Sequence, residues 1–405
     1  MIKFAIIFFS TLFCFASYAQ NSDSNSVTIL PGHTNDVNAA VFSSQKTKRI
    51  ATAGWDNLIN IYLADTPTKL VQTLTGHSAS VNCLAYNLTG TMLASGGNDF
   101  RVMMWDSMYR ARLVYEPLSL KHSSNINALV FDKTGKFLFS GDNEGKLIIW
   151  DALNAKLVKS MLTGSQINDL CLSSNPANIF IASSEHNIKL YALAANKLVR
   201  TLDGHTDAVN SLAISSNGLY LISGSNDKTA RIWDLRNMKQ LHILKVECWK
   251  VTAVAFSDDG KYCATGCNDG SVKIWETLSG TLINSIETRN CNIRDINFSK
   301  NSQQIVIAPL MRGSSEYGAR IVNSGIPAPK PNVIQLKVSP AQRAVDSIMA
   351  IRTLTRQDSI RYRNVFRVKP SLPEPSKQTG GKTPVLDSAI IFKTPMNPKN
   401  GSKNK

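Results

Sequence analysis

The feature that most constrains this chain is a set of four residue types that recurs at a fixed spacing. His205 is followed by Ser223, Asp227 and Trp233, and further copies of the set stand elsewhere in the chain at similar intervals. The aromatic residues that end successive copies fall every 41–45 residues, at Tyr62, Trp105, Trp150, Tyr191, Trp233 and Trp275. Repeats of this length are supersecondary units that bury their apolar faces only by stacking, so the chain must fold as an array of copies.

Each copy has the pattern of a short all-β unit. In the copy that contains His205, segments 209–215, 219–225 and 229–235 are rich in apolar and β-branched residues, with turn-forming residues between them. A fourth run, 197–202, precedes the Gly-His pair. Four strands in a unit of about 40–45 residues is the pattern of a β-propeller blade.

The repeats resemble the WD-repeat β-propeller family. The resemblance is carried by Gly-His pairs at 32–33, 76–77 and 204–205 and by Trp-Asp pairs at 105–106, 150–151 and 233–234, and it covers about residues 27–325. It implies a hydrogen-bonded tetrad inside each blade, in which a carboxylate accepts from an imidazole and a buried indole N–H finds an acceptor. The expected tetrad residues are His33, Thr52, Asp56, Tyr62, His77, Ser95, Asp99, Trp105, His122, Ser140, Glu144, Trp150, His205, Ser223, Asp227, Trp233, Thr265, Asp269 and Trp275.

The repetition argues against a catalytic role for these residues. A His, a Ser and an Asp can form a nucleophilic triad, but five copies in one chain indicate a structural unit. No H-E-x-x-H, G-x-S-x-G or calcium-loop spacing is present, so we expect no catalytic residue, no metal and no cofactor. The alternative is a propeller-type hydrolase or lactonase with its site in the central channel. Five asparagines in the first strands could line such a channel or satisfy buried backbone: Asn38, Asn82, Asn127, Asn168 and Asn210.

We predict seven blades, of which three depart from the pattern. The fourth lacks the Gly-His pair, the sixth has Glu247 in the place of the His, and the seventh has Arg289 there and lacks the Asp and the Trp. We predict that Val27–Leu30 closes the ring as the outer strand of the seventh blade, because this removes two open sheet edges. The alternative closing strand is 332–338.

The first 19 residues are predicted to be a secretory signal peptide. Lys3 supplies a positive start, Phe4–Phe15 is apolar but too short to span a bilayer, and Ser17–Ala19 ends in a small residue before Gln20. This junction resembles those of exported Bacteroidota proteins. We therefore expect an exported protein that is periplasmic, associated with the outer envelope or secreted, and not transmembrane after cleavage.

The positive charge of the chain is concentrated near its C-terminus. The formal net charge is +16, and residues 326–405 carry 15 basic and 4 acidic side chains. We predict a linker at 20–26, a propeller at 27–325, and a basic, proline-rich, partly disordered tail at 326–405. The tail is either a solvated segment or an arm that binds an envelope partner or an anionic surface. Nucleic-acid binding by the tail is a further alternative, against which export and the lack of aromatic stacking residues argue.

Export would permit disulfide bonds, and six cysteines remain after residue 19. Cys248 and Cys267 lie in a loop and a turn that approach each other within a blade, and Cys291 begins the next blade nearby. We predict one disulfide among these three. The other cysteines lie on predicted strands and are expected to be buried thiols: Cys83, Cys171 and Cys263.

The function favoured by these observations is that of a non-catalytic protein-binding scaffold in the cell envelope or extracytoplasmic space. The loops of blades six, seven and one depart most from the repeat, and they carry the residue types that are enriched at interface centres. The alternative is that the two tryptophans among them merely cap gaps left by the degenerate seventh blade. The predicted partner-binding residues are Trp55, Trp249, Lys250, Met311, Arg312 and Tyr317.

Overall fold

A computed structural model describes residues 27–43, 48–64, 68–106, 111–113 (backbone only), 122–288, 291–311 and 317–327. They all belong to the first of two units into which the chain divides, Met1–Pro329. The second unit, Lys330–Lys405, lies outside the described residues, as do the predicted signal peptide, the linker and all of the predicted tail after residue 327.

The described residues form 28 strands in seven antiparallel sheets of four strands each. Strand β1 is Thr28–Ile29. Blade 1 is β2–β5: Val37–Phe42, Arg49–Gly54, Ile59–Leu63 and Lys69–Leu74. Blade 2 is β6–β9: Val81–Tyr86, Leu93–Gly97, Val102–Trp105 and Ala111–Leu113. Blade 3 is β10–β13: Ile126–Phe131, Phe137–Asp142, Lys146–Asp151 and Lys156–Leu162.

Blade 4 is β14–β17: Ile167–Leu172, Asn178–Ser183, Ile188–Ala192 and Lys197–Leu202. Blade 5 is β18–β21: Val209–Ile214, Tyr220–Ser225, Thr229–Asp234 and Lys239–Lys245. Blade 6 is β22–β25: Val251–Phe256, Tyr262–Cys267, Ser271–Glu276 and Leu282–Glu287. Blade 7 is β26–β28 with β1: Cys291–Phe298, Gln304–Met311 and Arg320–Asn323. The seven-bladed all-β propeller predicted from the repeats is confirmed.

The N-terminal strand closes the ring, as predicted. Thr28 pairs with Ile321, and the backbone N–H of Leu30 donates to the carbonyl of Ala319 over 2.8 Å. The alternative closing segment, 332–338, lies outside the described residues. Because β1 completes blade 7 and leads directly into blade 1, both ends of the propeller are fixed in one sheet.

The apolar core lies between neighbouring blades. Each of seven buried clusters joins two adjacent sheets, and the cluster that joins blade 7 to blade 1 includes Leu30, Tyr62 and Val306. Glycine permits close approach at these contacts: a Cβ on Gly141 would lie 2.5 Å from Cγ2 of Ile167 in the next blade. No sheet therefore has to be stable alone, which is the physical basis of a repeat fold.

Two details of the fold bear on the site and on the domain boundary. The first strand of every blade contains a β-bulge near its start, which re-aims one side chain per blade. At the C-terminal end, Ile326 is buried and packs with Val322 into the core between blades 6 and 7. An apolar side chain one residue beyond the predicted boundary at 325 thus contributes to this core. Among the described residues, no helix is long and apolar enough to cross a membrane.

Candidate functional site

Blade 5 shows the complete tetrad. Nδ1 of His205 lies 2.7 Å from Oδ2 of Asp227, and Nε2 lies 2.7 Å from Oγ of Ser223. The indole N–H of Trp233 donates to the same Oγ over 2.9 Å. With the Nδ1 proton directed at the carboxylate, the serine hydroxyl donates to Nε2, so every member has a partner. The tetrad therefore links the loop before the blade to its second and third strands.

Blades 2 and 3 repeat this chain of hydrogen bonds. In blade 2, His77 lies 2.9 Å from the carboxylate of Asp99 and 2.8 Å from the hydroxyl of Ser95. Trp105 donates to that hydroxyl over 3.0 Å, and in blade 3 Trp150 donates to the tetrad serine over 2.8 Å. The spacing of the repeat thus corresponds to one conserved hydrogen-bond geometry within this molecule.

Blade 3 requires one correction to the predicted tetrad. Nδ1 of His122 lies 2.7 Å from Oδ2 of Asp142, whereas Glu144 accepts a hydrogen bond from the hydroxyl of Ser123. Asp142 ends β11 and is fully buried, so its short side chain faces the imidazole. Glu144 lies in the exposed turn that follows. The assignment of Glu144 to the tetrad is therefore wrong, and Asp142 takes that place.

Blade 1 has Tyr62 where the other tetrads have Trp. His33 still lies 2.8 Å from both the Asp56 carboxylate and the Thr52 hydroxyl. The hydroxyl of Tyr62 extends past Thr52 and donates to the backbone carbonyl of Pro31 over 2.7 Å. Burial raises the pKa of Tyr62 to about 12, so the phenol remains a donor at neutral pH.

The tetrad carboxylates of blades 1, 2 and 5 are held in the ionised form. Burial opposes ionisation of Asp227, but hydrogen bonds from His205 and Thr229 outweigh this and hold the pKa of the carboxyl below its ordinary value. The pKa values of Asp56 and Asp99 are lowered in the same way by their histidine partners. These groups thus favour the folded state most when they carry a charge.

Blade 6 keeps only part of the tetrad. Trp275 donates to the hydroxyl of Thr265 over 3.0 Å, but Asp269 accepts from the backbone N–H and hydroxyl of Ser271 instead of from a histidine. The side chain of Glu247 is 83% exposed and does not replace the missing imidazole. The carboxylate of Asp269 therefore stabilises its own turn and does not link it to the preceding loop.

A disulfide provides that link in blade 6. Cys248, in the loop before the blade, is bonded to Cys267 at the end of β23, with 6.2 Å between the two Cα atoms. Of the three pairings open in the sequence, this is the one formed. Cys291 is not part of a disulfide, and its buried thiol lies 3.0 Å from the hydroxyl of Thr288. Hence a covalent bond joins the two segments that a His–Asp pair joins in four other blades.

The three blades without a tetrad histidine share a cation on the third strand. Nζ of Lys189 in blade 4 donates to the hydroxyl of Ser165 over 2.9 Å, and Nζ of Lys273 in blade 6 donates to the carbonyl of Val246 over 2.8 Å. Nη1 of Arg320 in blade 7 donates to a loop carbonyl over 2.5 Å. Each cation stands two residues before the position of the tetrad aromatic, and it reaches the loop in which the histidine of the other blades stands.

A polar cavity of about 550 Å³ occupies the mouth of the central channel. Each of the five asparagines expected to face a channel lines it and also donates to a backbone carbonyl in the first strand of the next blade, over 2.7–3.1 Å. The hydroxyl of Thr252 makes the same bond from blade 6 to blade 7. One side chain therefore both forms the channel wall and joins neighbouring blades. The seven side chains at the bulges are Asn38, Asn82, Asn127, Asn168, Asn210, Thr252 and Arg294.

Two carboxyl groups lie deeper in the channel, each directly after a bulge. Oδ2 of Asp169 accepts from the backbone N–H of Leu212 over 2.7 Å, and Oδ2 of Asp295 accepts from that of Ala40 over 3.0 Å. Burial raises the pKa of Asp169 to about 7 and that of Asp295 to about 6. Their oxygens are engaged by the next blade, so we interpret both as blade-joining groups. Within the described residues, no group of three His, Cys, Asp or Glu could hold a metal ion.

Three of the predicted partner-binding residues are exposed on one face. Trp55 is 52% exposed and lines the cavity, where its indole N–H donates to Oδ1 of Asn38 over 2.8 Å. Trp249 is 72% exposed, with Nζ of Lys228 5.2 Å from the centroid of its ring. Lys250 lines the cavity. The β3–β4 turn and the β21–β22 connection lie on the same face because antiparallel strands alternate in direction, and blade 7 separates the two.

The other three predicted residues contribute less to this face. Met311 is half-buried, packs against the core between blades 6 and 7, and accepts a hydrogen bond at Sδ from Arg320. The side chain therefore contributes to packing, and its predicted role in partner binding stays a prediction. Tyr317 is half-buried, and Arg312 lies outside the described residues.

The fold and its repeated tetrads define a repeat propeller, and one face of it carries two exposed tryptophans, Trp55 in blade 1 and Trp249 before blade 6. Five segments match the family model described as WD domain, G-beta repeat: 24–62, 68–106, 116–151, 196–234 and 238–276. The chain belongs to the WD-repeat family. The unmatched blades 4 and 7 are the two in which the tetrad is most degraded, and propellers of this family typically serve as protein-interaction scaffolds.

Similarity to curated proteins is confined to parts of the repeat array. The chain is 29% identical to WD repeat-containing protein srw1 of Schizosaccharomyces pombe over 183 residues, which is 44% of this chain and 32% of that protein. It is 33% identical to small ribosomal subunit protein RACK1 of Neurospora crassa over 76 residues, which is 18% of this chain and 24% of that protein. The chain thus spans about a third or less of the length of these relatives.

Proposed function

We propose that this protein is a non-catalytic scaffold that binds a protein partner outside the cytoplasm, through the face formed by blades 6, 7 and 1. The observation that carries the proposal is the exposure of Trp249 and Trp55 on that face, at and beside the mouth of the channel. Large aromatic side chains that are exposed on a rigid support are the usual energetic centres of protein interfaces.

Two observations support the extracytoplasmic location. The N-terminal 19 residues have the charge and apolar pattern of a signal peptide. The Cys248–Cys267 disulfide is a kind of bond that persists in oxidising compartments and is rare in the cytosol. The basic segment 326–405 would add an electrostatic arm toward an acidic envelope partner. Fractionation of cells that express the full chain, with and without residues 1–19, tests the location.

Crosslinking in cells followed by pull-down tests the binding face. We expect Trp55→Ala and Trp249→Ala each to weaken capture of the partner by about 1–3 kcal/mol, with little change in melting temperature. Leu153→Ala is the matched control, because Leu153 is 56% exposed in the β12–β13 turn on the opposite face. Normal capture by both tryptophan variants, or an equal loss in Leu153→Ala, would place the interface elsewhere.

A further inference from the structure

Arg294 is the one charged residue in the ring of seven channel-lining side chains at the bulges. The residue at the bulge of the first strand is Asn in blades 1 to 5 and Thr252 in blade 6, and each of these donates to a carbonyl of the next blade. In blade 7 the bulge falls between Ile293 and Asp295, so the residue at this position is Arg294. The guanidinium thus enters the channel at a point where every other blade presents a small neutral donor.

Within the part of the chain that the structure describes, the guanidinium of Arg294 has no hydrogen-bond or ion-pair partner that compensates its charge. The carboxylate of the adjacent Asp295 accepts instead from the backbone N–H groups of Ala40 and Ile296, and Asp36 in blade 1 accepts from the backbone N–H of Met311. The side chain of Arg294 is exposed at the channel mouth, where the surrounding wall desolvates the guanidinium in part and lowers its pKa from the ordinary value. A cation that is accessible in a channel and has no counterion attracts an anion.

The composition of the cavity around Arg294 favours the same kind of ligand. Among the described residues that line it are ten carboxamide side chains, the indole of Trp55, the hydroxyl of Thr252 and two cations, Arg294 and Lys250, but no Asp or Glu. The planar fork of an arginine matches the two oxygens of a carboxylate, and carboxamide N–H groups add further donors. A volume of about 550 Å³ is sufficient for one or two amino-acid side chains.

We propose that Arg294, with Lys250 from the neighbouring blade, binds a carboxylate of an acidic peptide segment that a protein partner inserts into the channel mouth. This inference rests on the proposed function and specifies the chemistry of the partner. A peptide is favoured over a free small anion because the cavity wall includes the half-exposed ring of Trp55, and Trp249 directly precedes Lys250. The Trp55 indole N–H is already used by Asn38, so its ring offers an apolar surface to a neighbouring residue of the same peptide.

Selection from a library of random octapeptides on the full mature protein tests this proposal. We expect the selected peptides to be enriched in Asp and Glu, with apolar residues beside them. A fluorescently labelled member of the selected set then serves as the probe for anisotropy titrations. Replacement of its key Glu by Gln and the variant Arg294→Gln should each weaken binding by about tenfold or more, and the two changes together should cost little more than one.

Arg236→Gln is the matched control, because Arg236 is an exposed arginine in the β20–β21 turn on the opposite face. We expect it to change affinity less than about twofold. If Arg294→Gln fails to fold, Arg294→Lys serves instead, since it keeps the charge but loses the planar fork and should weaken binding severalfold. The proposal is overturned if selection yields no peptide or yields neutral or basic ones, or if the arginine variants at 294 and 236 behave alike.

The pull-down of the partner separates this inference from the proposed function. Loss of capture in Trp55→Ala with normal capture in Arg294→Gln would leave the binding face in place and reject the carboxylate site. Normal capture in both would reject the proposed face as well. If 10 mM sodium acetate displaces the labelled peptide and a Gln-substituted peptide does not bind, the site recognises the carboxylate group itself.

Discussion

Blades 1, 2, 3 and 5 use a histidine to join the preceding loop to the sheet, whereas blades 4, 6 and 7 do not. In the first group the imidazole bridges an acid and a hydroxyl, as His205 does between Asp227 and Ser223. In the second group a lysine or arginine on the third strand donates to the loop, and blade 6 adds a disulfide. In both groups a side-chain bond joins the preceding loop to the blade, but the kind of bond differs between them.

Among the described residues, the carboxyl and basic side chains that line the channel all come from the blades without histidine or from the loop before one of them. Asp169 lies in blade 4, Lys250 directly precedes blade 6, and Arg294 and Asp295 lie in blade 7. The blades with complete tetrads contribute only asparagines to the ring of bulged residues. The regular blades therefore provide rigidity, and the irregular ones provide the charge on which the proposed recognition depends.

The largest expected effect is a loss of stability when the acid in the β-turn of a blade with histidine is replaced, compared with the same change in a blade without histidine. Asp227→Ala removes the acceptor of His205 Nδ1, of two backbone N–H groups and of the Thr229 hydroxyl, so it should lower the free energy of unfolding by about 4 kcal/mol. Asp269→Ala, at the same place in blade 6, removes only the bonds to Ser271 and should cost about 1 kcal/mol. Urea denaturation of both variants measures the difference, and equal costs would show that the tetrad adds nothing beyond its turn.

A smaller effect is expected for the disulfide in blade 6. Cys248 and Cys267 are 19 residues apart, and closing a loop of about that length contributes about 3 kcal/mol. We expect the double variant Cys248→Ala/Cys267→Ala to lose this amount, and dithiothreitol to lower the melting temperature of the unaltered protein but not that of the double variant. A shift of similar size in both proteins would attribute the effect of the reductant to another cysteine.

The regular part of the molecule could be predicted from the sequence because its pattern is redundant. Spacing alone locates His77 and His205 and the strands around them, and the similarity of segment 27–33 to 199–205 identifies the closing strand. The asparagine ring was also visible, since each member follows an apolar residue near the start of a first strand. A pattern that occurs in several copies can be recognised even where one copy departs from it.

The irregular blades were harder to predict, because each departure from the repeat pattern occurs only once in the chain. Spacing selected Glu144, although the shorter Asp142 at the end of its strand is the side chain that reaches the imidazole. The cations on the third strand could have been recognised as a Lys or Arg two residues before the aromatic position. Arg231 occupies the same position in blade 5, which has its histidine, so this pattern alone does not identify them. Arg294 was missed because its residue type differs from the ring, and only the bulge in β26 identifies it as the seventh member.

The two groups of blades should also differ in how their acids respond to pH. The tetrad carboxyls Asp56, Asp99 and Asp227 have lowered pKa values in the folded protein, so their contribution is present above about pH 4 and is lost as the pH falls below it. The channel carboxyls have raised pKa values, about 7 for Asp169 and about 6 for Asp295. In that case the folded state binds protons that the unfolded state has already released, so stability is lost as the pH rises through these values.

Asp169→Asn is the most sensitive test of this difference and has the smallest expected effect. Between pH 6 and pH 8 the free energy of unfolding of the unaltered protein should fall by about 1–2 kcal/mol, most of it from Asp169, whose folded pKa is the higher of the two. The variant loses one of the two acceptors for Leu170 and Leu212, so its absolute stability drops, but its slope against pH should be clearly flatter. Asp203→Asn, at an exposed carboxylate, controls for net charge and should keep the original slope. The tetrad histidines keep their partners in all three proteins, so an unchanged slope in Asp169→Asn would mean that Asp169 is ionised in the folded protein.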